Sequence, residues 1–462
     1  MSDELARLSE IDRNHYLHPT TSVKEHFNAG PALVFERGQG VYLYDVEGKE
    51  YIDGMASLWN VNIGHGRKEL AQAALDQMST LAYSHSFSNF SHRPVIELSE
   101  KLASYTPGDL NVFFYASGGS ESNDSAIKLI RHYFKMKGQP QRVKILARHR
   151  AYHGISIGAT SATGIGLYRE MAPPLAPGFL HGPAPHCYHC ELGMDPASCE
   201  LACAKQELRK LIEQEGPDTV AAIMAEPIQG AGGVIVPPAG YMKAIRELCD
   251  EYGILMFTDE VITGFGRTGR WFGIEHEGVQ PDVMTFAKGV TSGYFPFGGV
   301  AIRQSLHEEL STISSGTFAH GFTYSGHPTG CAVAIKNLEI LDNEKLIENS
   351  DKMGEILRKG LLQIEASSPF AANVMSRGLL ASIEIVQDKS TRQAFPQEAS
   401  IANQVFQQCL KRGVIVRPLN IDGTSTIALS PPLVIHESQV DTVVNALAES
   451  IEAAVTTSSV SK

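Results

Sequence analysis

From Gly253 to Gly293 the chain carries two short apolar runs, each ending in an ionisable group. Ile254-Leu255-Met256-Phe257 ends at Thr258-Asp259-Glu260, and Val283-Met284-Thr285-Phe286 ends at Ala287-Lys288-Gly289. Their brevity, the flanking glycines and the Pro281-Asp282 turn predict two buried parallel strands rather than helices. Parallel sheets bind ligands at the C-terminal ends of their strands, which is where Asp259 and Lys288 fall. A chain of 462 residues is long for one core, so two lobes are expected, and they need not be contiguous in sequence.

A strand-end acid beside a strand-end lysine suits pyridoxal phosphate, which needs a lysine Schiff base and an acid paired with its pyridinium nitrogen. The competing reading is a sheet-edge ion pair. A nucleotide fingerprint is also spelled here, by Gly264-x-Gly266-x-x-Gly269. It is rejected because Arg270-Trp271-Phe272-Gly273 leads into more turn signals, not into the long helix that a dinucleotide site requires.

The rest of the chain alternates strand and helix signals, as a mostly parallel α/β sheet requires. Strands are expected at 111–115, 143–147, 220–225 and 297–302, and helices at 1–18, 67–78, 95–103, 208–215 and 240–252. A long helical region is expected from Cys331 to about Glu365, then strands at 379–386 and 413–418 and helices at 398–412 and 437–455. Ala116-Ser117-Gly118-Gly119-Ser120 joins a strand to a helix, and its free N–H groups and serine hydroxyls make an anion site in which Gly119 and Ser120 hold a phosphate. Tyr152 follows a strand end, where an aromatic ring can stack on a planar cofactor. Glu226 ends the 220–225 strand on the same rim as Asp259 and Lys288. Arg417 interrupts an apolar strand just before Pro418, and a guanidinium there can grip a carboxylate with two parallel hydrogen bonds; an edge ion pair is the alternative.

Thr258-Asp259-Glu260-Val261, the following Thr263-Gly264-Phe265-Gly266-Arg267-Thr268-Gly269, and Asp282 to Gly289 together resemble the class III, fold-type I aminotransferases. Leu58-Trp59, Tyr152 and Arg417 extend the likeness to the ω-amino acid and amine:pyruvate transaminases over most of the chain. The resemblance implies an α/β fold with a mostly parallel seven-stranded sheet in a large cofactor-binding domain, 60–329. A smaller α+β domain is then made from both termini, 1–59 and 330–462. It implies that Lys288 is the Schiff-base lysine, Asp259 holds the ring nitrogen, Val261 packs on a ring face, Tyr152 stacks on the ring, and Glu226 lies beside the cofactor. Trp59 becomes a wall of the substrate pocket, and Arg417 swings in for a keto acid and out for an uncharged amine. Phe87 is expected to reach the partner subunit's pocket, and Thr323 to donate across the interface into the partner's phosphate cup. A homodimer with shared sites follows, with a dimer of dimers left open. The expected reaction moves an amino group from an amine or ω-amino acid donor to a keto acid such as pyruvate. Diaminopelargonate, 4-aminobutyrate or ornithine aminotransferases, and decarboxylating or mutase relatives, share the same signature.

A formal charge of −12 argues against nucleic acid or an anionic membrane as partner. The N-terminus lacks a signal-peptide core, no run reaches membrane-spanning length, and an odd count of seven Cys suits a reducing compartment, so a cytoplasmic protein is expected. No metal is expected in the chemistry. Cys187, Cys190, Cys199 and Cys203 form a candidate structural metal site, with reduced or disulfide-prone thiols as the alternative. Cys199 and Cys203 are expected to share a helix face. A non-enzymatic metal-binding module built on that cluster is the rival from another class; it leaves Asp259, Lys288 and the Ser-Gly turn without a role.

Overall fold

Val220–Ala225, Leu255–Asp259 and Val283–Phe286 are buried at every residue, as strands covered on both faces must be. The computed structural model in which they lie describes residues 2–460, Met1, Ser461 and Lys462 falling outside it. Near the N-terminus β1 (Phe35–Gln39), β2 (Tyr42–Asp45) and β3 (Glu50–Asp53) form an antiparallel meander. The central sheet then collects β4 (Leu110–Ala116), β5 (Lys144–Arg148), β6 (Phe179–Gly182), β7 (Val220–Ala225), β8 (Leu255–Asp259), β9 (Val283–Phe286) and β10 (Gly298–Arg303). Their order is β4-β10-β9-β8-β7-β5-β6; β10 runs antiparallel to both neighbours and the remaining pairs are parallel. This is the mostly parallel seven-stranded sheet that the family resemblance implies; its edge strand β6 is not among the strands expected from the residues alone.

Toward the C-terminus come β11 (Ala371–Arg377), β12 (Leu380–Asp388), the short β13 (Gln393–Ala394) and β14 (Val414–Ile415), β15 (Arg417–Ile421) and β16 (Thr424–Leu429). β11-β12-β16-β15 is an antiparallel sheet with β13 on β12, whereas β14 returns to the meander and pairs parallel with β3, Val414 facing Ile52. The two ends of the chain therefore meet in one sheet. Among the described residues no helix is long and apolar enough to cross a membrane.

Four local expectations are corrected. The helical region from Cys331 breaks into Pro328–Asn343 and Leu346–Ser367, because Lys345 adopts a left-handed φ of 53° between them. The apolar run 413–418 is split between two sheets, β14 and β15. Cys199 and Cys203 do not share a regular helix face, because Glu200 and Leu201 between them are left-handed, with φ of 50° and 62°. The N-terminal segment holds two helices, α1 (Asp3–His15) and α2 (Val23–Ala29), rather than one.

Candidate active site

Parallel pairing sets Asp259, the last residue of β8, opposite Thr285 in β9, and the next N–H, from Glu260, donates to the Thr285 carbonyl over 2.9 Å. Leaving β9, the chain turns at once through Lys288, whose φ of 43° is left-handed. Such a conformation in a non-glycine residue costs on the order of 1–3 kcal/mol and persists only where its surroundings impose it. Burial pushes the Lys288 amine down to about 8; the carboxylates of Asp259 and Glu226 oppose that shift and Arg417 adds to it. Asp259, Glu226 and Arg417 are thus the charged groups that act on the Lys288 amine.

Asp259 is clamped. Its Oδ2 accepts from Asn123 Nδ2 at 2.8 Å and faces His153 Nδ1 at 2.8 Å, while Oδ1 accepts the Val261 N–H at 3.0 Å. Asn123 is itself held, accepting from Thr285 Oγ1 at 2.7 Å and donating to the His153 carbonyl at 2.6 Å. Glu226 is buried and its carboxyl is raised above the usual carboxylate range by that burial. It accepts the Tyr152 N–H at 3.0 Å and the Gly230 N–H at 2.9 Å, so it positions the aromatic loop.

The helix Gly119–Met136 carries Asn123 and so starts near Asp259. No side chain caps its first turn, and a Cβ on Gly118 would meet nothing within 4 Å. A Cβ on Gly119 would lie 2.9 Å from Val261 Cγ1, which explains a glycine there: the helix end and the residue after Glu260 touch. Ser120 Oγ accepts the Ile155 N–H at 3.2 Å. The uncapped N-terminus of a long helix can hold an anion.

Trp59 is only 3% exposed and belongs to an apolar cluster with Met55, Ile165, Ile262 and Leu419, against which Tyr152 and Tyr168 pack. Ala56, Ser57 and Trp59 take left-handed φ of 44°, 57° and 66°, and Asp53 below them accepts the Ser57 N–H at 2.7 Å. The rings of Tyr152 and Tyr168 meet edge to face, 5.2 Å apart. Burial raises the Tyr152 hydroxyl to about 12, Tyr168 adding to the shift and Arg417 opposing it. Arg417 opens β15, and burial lowers its guanidinium. Its Nε is buried without a hydrogen-bond partner, and no carboxylate among the described residues pairs with it.

Phe87 and Thr323 stand apart from this group. Both are exposed: Phe87 lies against Gly321, and the Thr323 carbonyl accepts from the Tyr83 hydroxyl at 2.7 Å. Cys187, Cys190, Cys199 and Cys203, all free thiols, line one cavity of about 20 Å³ with His186, away from Lys288. Among the described residues, His, Cys and carboxylate donors are drawn within 4.8 Å of one another at Asp12, His18 and His26, not at these four sulfurs.

The sequence model of the family Aminotransferase class-III matches residues 24–451. A putrescine–pyruvate aminotransferase of Pseudomonas aeruginosa is 41% identical over 432 residues, covering 93% of this chain and 92% of that protein. The chain belongs to the class III aminotransferases. A transaminase from the marine bacterium Virgibacillus superposes with a TM-score of 0.93 at 48% identity, over 97% of this chain and 99% of that one. A thermostable (S)-enantioselective ω-transaminase from Thermomicrobium roseum gives a TM-score of 0.93 at 46% identity, over 97% and 98%.

Aminotransferases of this class carry pyridoxal phosphate, and the residues present fit it. Lys288 offers an amine lowered toward neutrality, Asp259 a fixed carboxylate, and the uncapped helix end at Gly118 a place for phosphate. The aminotransferase signature also contains a strut that sequence reasoning passes over. Arg267 is fully buried and donates to Asn62 Oδ1 at 2.8 Å, the Leu379 carbonyl at 3.1 Å and the Pro431 carbonyl at 2.5 Å, tying the entry segment and the C-terminal sheet to the loop after Glu260. Asn123, His153 and Tyr168 are passed over as well. His153 sits beside Tyr152, and Asn123 lies one helical turn beyond Ser120; those spacings are the only local signals they carry.

Proposed function

We propose that this aminotransferase moves the amino group of an amine or ω-amino acid to a keto acid of the pyruvate type. When bound, pyridoxal phosphate supplies the carbonyl that takes up nitrogen and the protonated ring that draws electrons from the substrate carbon. Lys288 Nζ holds the cofactor, then takes the proton from the substrate carbon and returns it, work for which an amine lowered to about 8 is suited. Asp259 keeps the ring nitrogen protonated. Gly119 and Ser120 hold the phosphate, Val261 and Tyr152 pack on the ring, and Glu226 fixes Tyr152 through its N–H. No metal takes part.

The observation that carries the substrate reading is Arg417: a half-buried guanidinium whose Nε is buried without a partner, paired with no carboxylate among the described residues and electrostatically coupled to Tyr152 and Tyr168. It is suited to a carboxylate brought by the keto acid. The Trp59 cluster is suited to an apolar amine. The putrescine–pyruvate and ω-transaminase relatives support the same reading.

The reading includes a cytoplasmic homodimer in which Phe87 and Thr323 serve the neighbouring site. Their exposure supports this, beside Tyr83, Phe90 and Tyr324, also exposed. It also divides the chain into a cofactor-binding region, 60–329, and a smaller region from both ends, for which the β14–β3 pairing speaks. The test is a donor screen with pyruvate, including 1-phenylethylamine, putrescine, 4-aminobutyrate, ornithine and 7,8-diaminopelargonate. Alanine formation from 1-phenylethylamine or an ω-amine is expected. Turnover confined to 2-oxoglutarate, with none from pyruvate, overturns the acceptor assignment.

A further inference from the structure

Helices α1 and α2 bury no residue of their own, and Tyr16, Leu17, Val23 and Phe27 on and between them are exposed. No fully buried apolar side chain of either helix joins them, although the rings of His18 and His26 lie 4.2 Å apart. What joins them is a knot of three donors: Asp12 on α1, His18 in the connecting turn and His26 on α2. His18 Nε2 lies 3.0 Å from both carboxylate oxygens of Asp12, and His26 Nε2 lies 3.0 Å from Oδ1. All three donor groups fall within 4.8 Å of one another.

His26 is the informative member. Its side chain is only 10% exposed, yet its Nε2, although close to Asp12, makes no hydrogen bond. A buried imidazole nitrogen set beside a carboxylate but off the line of a hydrogen bond gains little from that contact. It gains much if a cation lies between them. Imidazole nitrogen and carboxylate oxygen bind zinc at roughly 2.0–2.2 Å, which sets neighbouring ligand atoms about 3–3.5 Å apart. The 3.0 Å separations of the two imidazole nitrogens from Asp12 lie at the short end of that range, and all three donors fall within 4.8 Å of one another.

We propose that Asp12, His18 and His26 bind a divalent transition-metal ion of the zinc type. Two imidazoles and one carboxylate select such an ion over calcium or magnesium, which take oxygen ligands. Three protein ligands leave a position for water, and the adjoining cavity of about 280 Å³, lined by His15, Tyr16 and Thr21, has room for it. The ion ties α1 to α2 where apolar burial does not, and ordering of the N-terminal segment becomes metal-dependent.

The experiment uses the full-length, untagged, cofactor-loaded enzyme, stripped with a chelator and titrated calorimetrically with Zn²⁺. To remove the competing thiols it is run both on the native chain and with Cys187, Cys190, Cys199 and Cys203 changed to Ser. One equivalent per chain is expected to remain in the thiol-free background, weakened about tenfold or more by His18→Ala, by His26→Ala and by the nearly isosteric Asp12→Asn. In the native chain, Co²⁺ is expected to give a visible band at this site, lost in His26→Ala, without the intense thiolate charge-transfer absorption. Zinc binding confined to the thiol-containing chain, or unchanged in all three variants, overturns the proposal.

Discussion

His153 Nδ1 lies 2.8 Å from Asp259 Oδ2, with both side chains sealed from solvent. An ionised carboxylate only accepts, so the imidazole donates through Nδ1. Its Nε2 is left buried without a partner. With Asn123 donating to the same oxygen, Oδ2 takes two donors, whereas Oδ1 accepts the Val261 N–H and has a lone pair left over, which the proposed contact to a pyridoxal phosphate ring nitrogen would use.

Removing one clamp tests whether Asp259 works by being held. Asn123→Ala deletes its donor to Asp259 and its donor to the His153 carbonyl. Hydrogen bonds to charged groups contribute about 1.5–3 kcal/mol, so pyridoxal phosphate affinity is expected to fall about ten- to hundredfold. Titration of cofactor-free protein, followed by absorbance, reads this directly. Unchanged affinity would show that Asp259 does not need the clamp.

Lys288 gives a pH signature. Its amine is lowered by burial to about 8, so below that pH it is mainly protonated and cannot attack the cofactor carbonyl. The rate at which cofactor-free protein recombines with pyridoxal phosphate is expected to rise with pH and to level off above about 8. A rise continuing toward the ordinary lysine value of about 10.4 would remove the burial argument. Lys288→Ala is expected to retain the fold and lose turnover.

The central sheet was legible because its strands are covered on both faces and so read as unbroken apolar runs; Val220–Ala225 needs no tertiary knowledge to be seen. The strand-end positions of Asp259, Lys288 and Glu226 follow from the same runs. What stayed hidden depends on contacts distant in sequence or on single backbone angles. Lys345 breaks a helix by a left-handed φ that its side chain does not advertise. β16, Thr424–Leu429, is wholly buried yet half polar, and its place is set by pairing with β12 and β15. α2 buries no face, so it carries no apolar period to detect. Asn123 and His153 acquire their roles only when Asp259 is folded between them.

Arg417 is expected to discriminate between substrate classes. Arg417→Leu removes the guanidinium coupled to Tyr152 and is expected to lower kcat/KM for pyruvate about ten- to hundredfold, from the loss of charge-assisted hydrogen bonds. For an apolar amine donor the half-reaction is expected to change by less than about threefold, because the contact proposed for it is with the apolar cluster of Trp59 and not with Arg417. Arg417→Lys keeps the charge without the fork and is expected to fall between the two. Equal losses for amine and keto acid would assign Arg417 to cofactor binding or folding instead.

Gly378 separates structural from cofactor effects. It joins β11 to β12 at a left-handed φ of 54°, and a Cβ there would lie 2.6 Å from the Gly269 nitrogen and closer still to the Thr268 carbonyl carbon. Both are backbone atoms in the loop that Arg267 braces, and on the other side Gly354 packs the helix Leu346–Ser367 against Gly378 itself. Nothing flexible can yield. Gly378→Ala therefore combines a left-handed alanine, about 1–2 kcal/mol, with overpacking of about 1–3 kcal/mol, and is expected to lower Tm by several degrees. Because the lesion lies outside the cofactor site, excess pyridoxal phosphate is expected to raise the Tm of Gly378→Ala no more than it raises the native protein. The deficit of Asn123→Ala, by contrast, is expected to close as the cofactor saturates. Thermal melts of both variants across a cofactor series distinguish the two, and a native Tm for Gly378→Ala would mean that the Thr268–Gly269 contact relaxes at little cost.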